Sequence, residues 1–285
     1  MSKLPLKKLL VPTDFSDISL HALDYAAGIA NNTGAEITLL HVYDAPEIPN
    51  LSKTFNMNDL IEKGINEKIN EIKISNKNLL GVFIHSKVVN GNIHDKIEAV
   101  AKEIKADLIV MGTHGSSGIR NMRKFILGST AYRVVSEAPC PIITLREVKK
   151  KIAFKNIVLP IDNSKDTMKK VGLAIEWAKA FGSTVHILAL TAFFEELVVQ
   201  IKDLKEQVAE VVSELEKNGI KHQQKMIRHQ RVSDSVHDYA KKVNADLIMI
   251  ATGQENAFTD AIFHSAARNI VTDSSVPVLS LNTGK

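Results

Sequence analysis

The chain repeats itself at a period of about half its length, which calls for two copies of one fold rather than a single large one. Residues 8–42 parallel residues 156–190 at a constant offset of 148, setting Pro12 against Pro160 and Asp14 against Asp162. The phrase Ala106-Asp107-Leu108-Ile109 returns as Ala245-Asp246-Leu247-Ile248 at an offset of 139, and Pro141-Ile142 returns as Pro277-Val278 at 136. Length agrees, since 285 residues at about 150 per domain make two. The expected domains are residues 1–150 and 151–285, joined within 146–154.

Within each copy, short apolar runs alternate with helical patterns. Residues 37–43 and 79–89 read as buried strands, whereas Ile93, Ile97, Val100, Ala101 and Ile104 share one helical face. The second copy keeps that face in Val232, Val236, Tyr239, Ala240 and Val243. Residues 58–74 (Ile61, Ile65, Ile69, Ile72) and 195–217 (Leu204, Val208, Val211, Val212, Leu215) read as amphipathic layer helices, because seams this short do not sustain coiled-coil heptads. Strands alternating with helices predict parallel pairing through right-handed crossovers. The expected fold class is α/β: two tandem Rossmann-like domains, each a five-stranded parallel sheet sandwiched by helices.

Composition narrows the functional classes. A hydrophobic fraction of 45% and a charged fraction of 24% suit a soluble globular chain. The longest apolar runs are of strand length, and the N-terminus lacks an apolar signal core, so a cytoplasmic location without a membrane partner is expected. A net charge of +4 and 5% aromatics provide neither a nucleic-acid surface nor a base-stacking platform. The single cysteine, Cys140 between Pro139 and Pro141, cannot form an internal disulfide and reads as packed rather than reactive.

The chemistry concentrates in two phrases of the first copy. Ile109-Val110-Met111-Gly112-Thr113-His114-Gly115 reads as a strand running into a glycine turn, and Gly128-Ser129-Thr130 as the start of a helix. Glycines let backbone N–H groups approach an anion closely, and a helix starting at Ser129 would aim its unpaired N–H groups at the same point. Residues 9–16 read as a buried strand ending in Asp14 and a helix cap. In open α/β sheets ligands bind beyond the carboxyl ends of the strands, where strand order reverses. Asp14 and the fourth-strand glycines would meet there if their strands are neighbours.

On these residues the chain resembles the universal stress protein family, whose ATP-binding members share a strand-Pro-Thr-Asp start and a Gly-x-x-Gly, nine residues, Gly-Ser/Thr phosphate loop. The resemblance spans the whole chain as two copies and implies adenine-nucleotide alpha hydrolase-like domains. It implies that Pro12, Thr13, Asp14 and Val42 frame adenine and ribose, with Met111, Gly112, His114 and Gly115 at the ribose and phosphates. Gly118, Gly128, Ser129 and Thr130 would complete the phosphate loop. The nine-residue count is met from Gly118, because three extra residues sit in this loop of the first copy relative to the second. The loop also carries Arg120, Arg123 and Lys124, read either as a basic flap over phosphates or as solvated charge.

At the repeat offsets, Ala251, Gln254, Ala257 and His264 replace Gly112, Gly115, Gly118 and Gly128, while Asp162 and Ser265 are kept. One ATP site per chain is therefore expected, in the first copy, with magnesium held mostly by phosphate oxygens and water. No P-loop lysine or catalytic pair is found, and no metal ligand is assigned. His114 reads as structural, and His222, His229 and His237 are spaced across a strand-to-helix boundary. Three readings stay open: a nucleotide-binding signalling module in stress response, a slow ATPase or adenylate-transferring enzyme, and a nucleotide-independent scaffold. In the family the last strand often pairs across a dimer. Here residues 141–145 and 277–281 are placed to pair within one chain as a pseudo-dimer, with a homodimer also open. Residues 44–55 read as a surface connection or a lid.

Overall fold

Leu9, Leu10 and Val11 have no exposed surface, so the strand that carries them must be paired along both edges. The computed structural model describes residues 4–44, 57–113, 129–148, 152–161, 167–192, 198–229, 231–252 and 260–283. It divides into two units, Leu6–Cys140 and Pro141–Lys285, with Leu4 and Pro5 joining the second.

In the first unit, β1 (Lys8–Pro12), α1 (Asp17–Thr33), β2 (Glu36–Tyr43), α2 (Met57–Ser75), β3 (Ile84–Asn90), α3 (Ile93–Ile104), β4 (Leu108–Gly112) and α4 (Ser129–Glu137) alternate along the chain. The sheet order is β3-β2-β1-β4, with every pair parallel. The chain leaves β1 through α1 to reach β2 on one side and returns later to place β4 on the other. That reversal at β1 is the switch point at which open α/β sheets hold ligands. The expected strand over 79–89 begins later, at Ile84. Leu79, 5% exposed, instead closes a 3-10 turn, Lys77–Leu79, and Gly81 follows at φ 81°.

The second unit contains β5 (Ile142–Leu145), β6 (Asn156–Ile161), α5 (Thr167–Phe181), β7 (Thr184–Ala192), α6 (Val198–Lys217), β8 (His222–His229), α7 (Val232–Lys242), β9 (Leu247–Thr252), α8 (Asp260–Asp273) and β10 (Val278–Asn282). Its order is β5-β10-β9-β6-β7-β8. Four of its ladders are parallel; β5 runs antiparallel to β10, with Ile143 opposite Leu279. The last strand of the first repeat thus pairs with the last strand of the second inside one chain. As a result, the spatial division falls at Cys140, ahead of the join between the sequence repeats. Arg146 reinforces the contact by donating from Nη1 to the Asp273 carbonyl at 2.9 Å.

The duplication extends to backbone detail. Helix α1 ends at Gly34 with φ 80°, and Gly182 follows α5 with φ 64° at the offset of 148. Lys105 and Asn244, an offset of 139 apart, both take left-handed conformations with φ 54° and 48°. Asp107 Oδ2 accepts from the N–H groups of Lys7 and Lys8 at 2.7 and 2.9 Å, and Asp246 Oδ2 accepts identically from Lys155 and Asn156. Each carboxylate lies just ahead of one strand and closes off the start of its neighbour, satisfying N–H groups that the parallel ladder leaves open.

The second unit centres on Trp177, fully buried between Phe154 and Phe181 at ring distances of 5.8 and 5.2 Å. As the sole tryptophan, it reports on this unit alone. Asp246→Ala is expected to lower stability by about 1–3 kcal/mol, the range for a carboxylate lost from partly buried N–H donors. A urea titration followed by Trp177 emission checks this through a lower midpoint at unchanged slope.

Candidate functional site

The turn after β1 is built around the Thr13 side chain. Thr13 is 6% exposed and continues the ladder by donating its N–H to the Leu40 carbonyl at 2.8 Å. Ser19 spends its hydroxyl proton on the Ser16 carbonyl at 2.9 Å, so Thr13 Oγ1 donates to Ser19 Oγ, also at 2.9 Å. Thr13 Oγ1 in turn accepts from the Phe15 N–H at 3.0 Å. Phe15 sits at φ 62°, a region costly for a bulky side chain, and is held there by stacking on His41 at 4.6 Å and 16°. His41 completes the brace by donating from Nδ1 to the Thr13 carbonyl at 2.8 Å.

Asp14 is half-buried within this turn. Its Oδ1 accepts from the N–H of Ser16 at 3.1 Å and from the Ser16 hydroxyl. Ser16 is itself the N-cap of α1, accepting from the Ser19 N–H at 3.4 Å. The carboxylate at the end of β1 is therefore positioned by the cap that starts the helix. Pro12 pairs with Leu40 in register, and Val42, half-buried near the end of β2, pairs with Val89.

Strands β1 and β4 are neighbours, with Leu9 opposite Leu108 and Leu10 opposite Ile109. The strand end carrying Asp14 and the one carrying Met111 and Gly112 thus lie side by side. Met111 is 7% exposed and Thr113 3%, so both belong largely to the core. Gly112 has an additional explanation that the sequence did not supply. A Cβ there would lie 3.0 and 3.1 Å from the two γ-carbons of Ile18 in α1, and the glycine does not use the left-handed backbone region. Close approach of helix to strand favours the glycine independently of any ligand, since a side chain here would push Ile18 aside by a few tenths of an ångström. Ser129 and Thr130 open α4. His114, Gly115, Gly118 and Gly128 lie outside the described residues, as do Arg120, Arg123, Lys124 and most of the connection over 44–55.

Sequence reasoning missed the bracing residues Ile18, Ser19, Phe15 and His41. Ser19 carries a local signal, through its spacing from the cap at Ser16, and Phe15 bonds locally to Thr13; Ile18 and His41 join through tertiary contact. In the second unit Ala251 occupies β9 where β4 has Gly112, while Asp162 lies outside the described residues. His222 and His229 stand at opposite ends of β8, about 23 Å apart at strand rise. His237 has its protonation disfavoured by burial. Cys140 is not chemically primed either, because burial, reinforced by the Asp107 carboxylate, pushes its thiol up to about 12. No helix among the described residues is long and apolar enough to cross a membrane.

Comparison with known proteins gives this architecture its class. The sequence model of the universal stress protein family matches residues 5–146 and again 153–281, so the chain belongs to that family and carries its domain twice. Universal stress protein MJ0531 of Methanocaldococcus jannaschii is 34% identical over 147 residues, covering 50% of this chain and 84% of that protein. Universal stress protein YxiE of Bacillus subtilis is 33% identical over 149 residues, covering 49% of this chain and 98% of that protein. A universal stress protein structure from Archaeoglobus fulgidus matches with a TM-score of 0.70 over 99% of this chain and 98% of that one, at 18% identity. That last likeness establishes the fold.

Two outcomes follow. Gly112→Ala is expected to cost about 1–3 kcal/mol by overpacking against α1. A double-mutant cycle with Ile18→Ala checks the cause, because a cost arising at Ile18 shrinks in that background. Cys140 is expected to resist Ellman's reagent at pH 8 in the native protein and to react once urea unfolds it, since a thiol that titrates near 12 supplies almost no thiolate.

Proposed function

We propose that the first unit binds one adenine nucleotide, ATP, in the crevice beyond β1 and β4, and that the protein acts as a nucleotide-dependent module in stress response. The observation that carries this reading is the adjacency of the β1 and β4 carboxyl ends, with Asp14 oriented by Ser16 on one and Gly112 on the other. Pro12, Thr13, Asp14 and Val42 are assigned to adenine and ribose. Met111, Gly112, His114 and Gly115 are assigned to ribose and phosphates, and Gly118, Gly128, Ser129 and Thr130 to the phosphates. A helix N-terminus such as that of α4 at Ser129 favours anions through its first-turn N–H groups and dipole. Magnesium would be held by phosphate oxygens and water, supplying charge neutralisation rather than a protein-built cage.

The second unit supports a single site by contrast. At the repeat offsets Ala251, Gln254, Ala257 and His264 replace the four glycines assigned to close backbone approach. Binding rather than turnover fits the residues present, since Asp14 and His114 come with neither a P-loop lysine nor a base–nucleophile pair.

The test is to denature freshly purified protein and identify released nucleotide by chromatography and mass spectrometry. About one ATP per chain is expected from the site count. Gly128→Glu places a carboxylate in the phosphate site and is expected to weaken ATP binding on the order of a hundredfold at unchanged far-UV circular dichroism. Unaltered affinity in that variant overturns the assignment. Absence of nucleotide, together with no thermal shift on adding ATP and magnesium, favours the scaffold reading instead.

A further inference from the structure

A buried histidine on α3 faces two carboxylates, one from its own helix and one from the end of α4. His94 is 4% exposed, and its Nδ1–H donates to Asp95 Oδ1 at 2.9 Å. That bond fixes the tautomer and leaves Nε2 as a lone-pair donor in the neutral ring. Nε2 lies 3.1 Å from Glu137 Oε2 but makes no hydrogen bond of acceptable geometry, and it is fully shielded from solvent. A buried acceptor thus confronts a carboxylate oxygen, an arrangement that a proton or a metal cation between the two would satisfy.

Glu98 completes the set. It stands four residues after His94 and so projects from the same face of α3. Ligand atoms of His94, Glu98 and Glu137 all lie within 4.8 Å of one another. Lys102 Nζ donates to Glu98 Oε1 at 2.6 Å, and Arg133 Nε donates to Glu137 Oε1 at 3.4 Å, so each carboxylate is steered by its own basic neighbour. Two ligands of one metal ion, each at about 2.0–2.1 Å, stand roughly 2.9–3.4 Å apart in tetrahedral or octahedral geometry. The separation of His94 Nε2 from Glu137 Oε2 falls in that interval.

We infer that His94, Glu98 and Glu137 form a divalent transition-metal site that ties the C-terminal end of α4 to α3, with zinc as the best-matched ion. One imidazole nitrogen and two carboxylates suit zinc, which accepts mixed nitrogen and oxygen ligands, better than magnesium or calcium, which prefer all-oxygen sets. Two carboxylates neutralise the charge of the ion. A fourth position is left for water or an incoming ligand. Asp95 acts as a positioning residue, holding the histidine in the ligating tautomer as carboxylates behind metal-bound histidines do.

The second unit provides an internal contrast. At the repeat offsets Ser233 replaces His94, His237 replaces Glu98 and Asp273 replaces Glu137. His237 Nε2 there lies 3.4 Å from the Ile270 carbonyl. Among the described residues, the three-ligand grouping belongs to the first unit alone. The inference is independent of the nucleotide reading, and its residues belong to a different pair of helix segments.

The experiment uses the full chain, stripped of metal by chelator and of nucleotide by charcoal, and titrated with zinc alone in competition with a chromophoric chelator. One tight zinc equivalent per chain is expected, with a rise in melting temperature and, on substitution with cobalt, visible d–d absorption. His94→Asn and Glu137→Gln are expected to abolish the tight equivalent, and Asp95→Asn to weaken it about tenfold or more at the same stoichiometry. Glu137 is partly exposed, so Glu137→Gln keeps the test informative should His94→Asn fail to fold, with the melting temperature in chelator as its control. No tight equivalent in the wild-type chain, or equal affinity in wild type and Glu137→Gln, overturns the inference.

Discussion

Burial of β1 on both faces and along both edges is the constraint from which the rest of the first unit follows. Leu9, Leu10 and Val11 have no contact with water, so every backbone donor and acceptor around them must find a protein partner. Strand β2 supplies one ladder and β4 the other. Where the ladders end, the Asp107 carboxylate takes two further N–H groups at the start of β1, and the Thr13 N–H reaches the Leu40 carbonyl at its finish. The second copy meets the same constraint in the same way, through Ile157, Val158 and Asp246.

That constraint also creates the crevice beyond the strand ends. A central strand with partners on both sides puts the residues just beyond its carboxyl end between two crossover connections, where no further strand fills the space. Side-chain hydrogen bonds brace the chain at this point. Thr13, Ser16 and Ser19 link the turn to the first turn of α1, and Phe15 is held in an unfavourable backbone region by His41. Strain stored in a turn whose geometry is over-determined is a means of preorganising a binding surface. Asp14 is one beneficiary, since its carboxylate is oriented by the helix cap rather than by chance rotamer.

Duplication keeps one architecture in both copies while leaving each free to vary its side chains. Backbone-level features recur in both, down to the left-handed Lys105 and Asn244. Side chains diverge where a ligand would sit: glycine gives way to Ala251 in the strand, and the His94, Glu98 and Glu137 grouping gives way to Ser233, His237 and Asp273. Selection on the fold acts through burial and hydrogen bonding, which both copies need.

By itself the sequence determined the two-fold repeat, the alternation of strands and helices, and the position of Asp14 at a strand end. These are properties of local periodicity and of short phrases, and α2, α3 and the β1 and β2 strands lie close to where apolar spacing placed them. Tertiary structure decided the remainder. Leu79 turned from strand to 3-10 turn because burying it there satisfied the core without extending the ladder. Strand β5 joined β10 in antiparallel pairing, which no pattern within either segment specifies. Gly112 came to lie tight against Ile18, 94 positions away in the chain, and His94 came to lie beside Glu137 across two helices. The physical reason is common to all of these: periodicity records which face of an element is buried, whereas the identity of the atom across the gap depends on packing between elements that are remote in sequence.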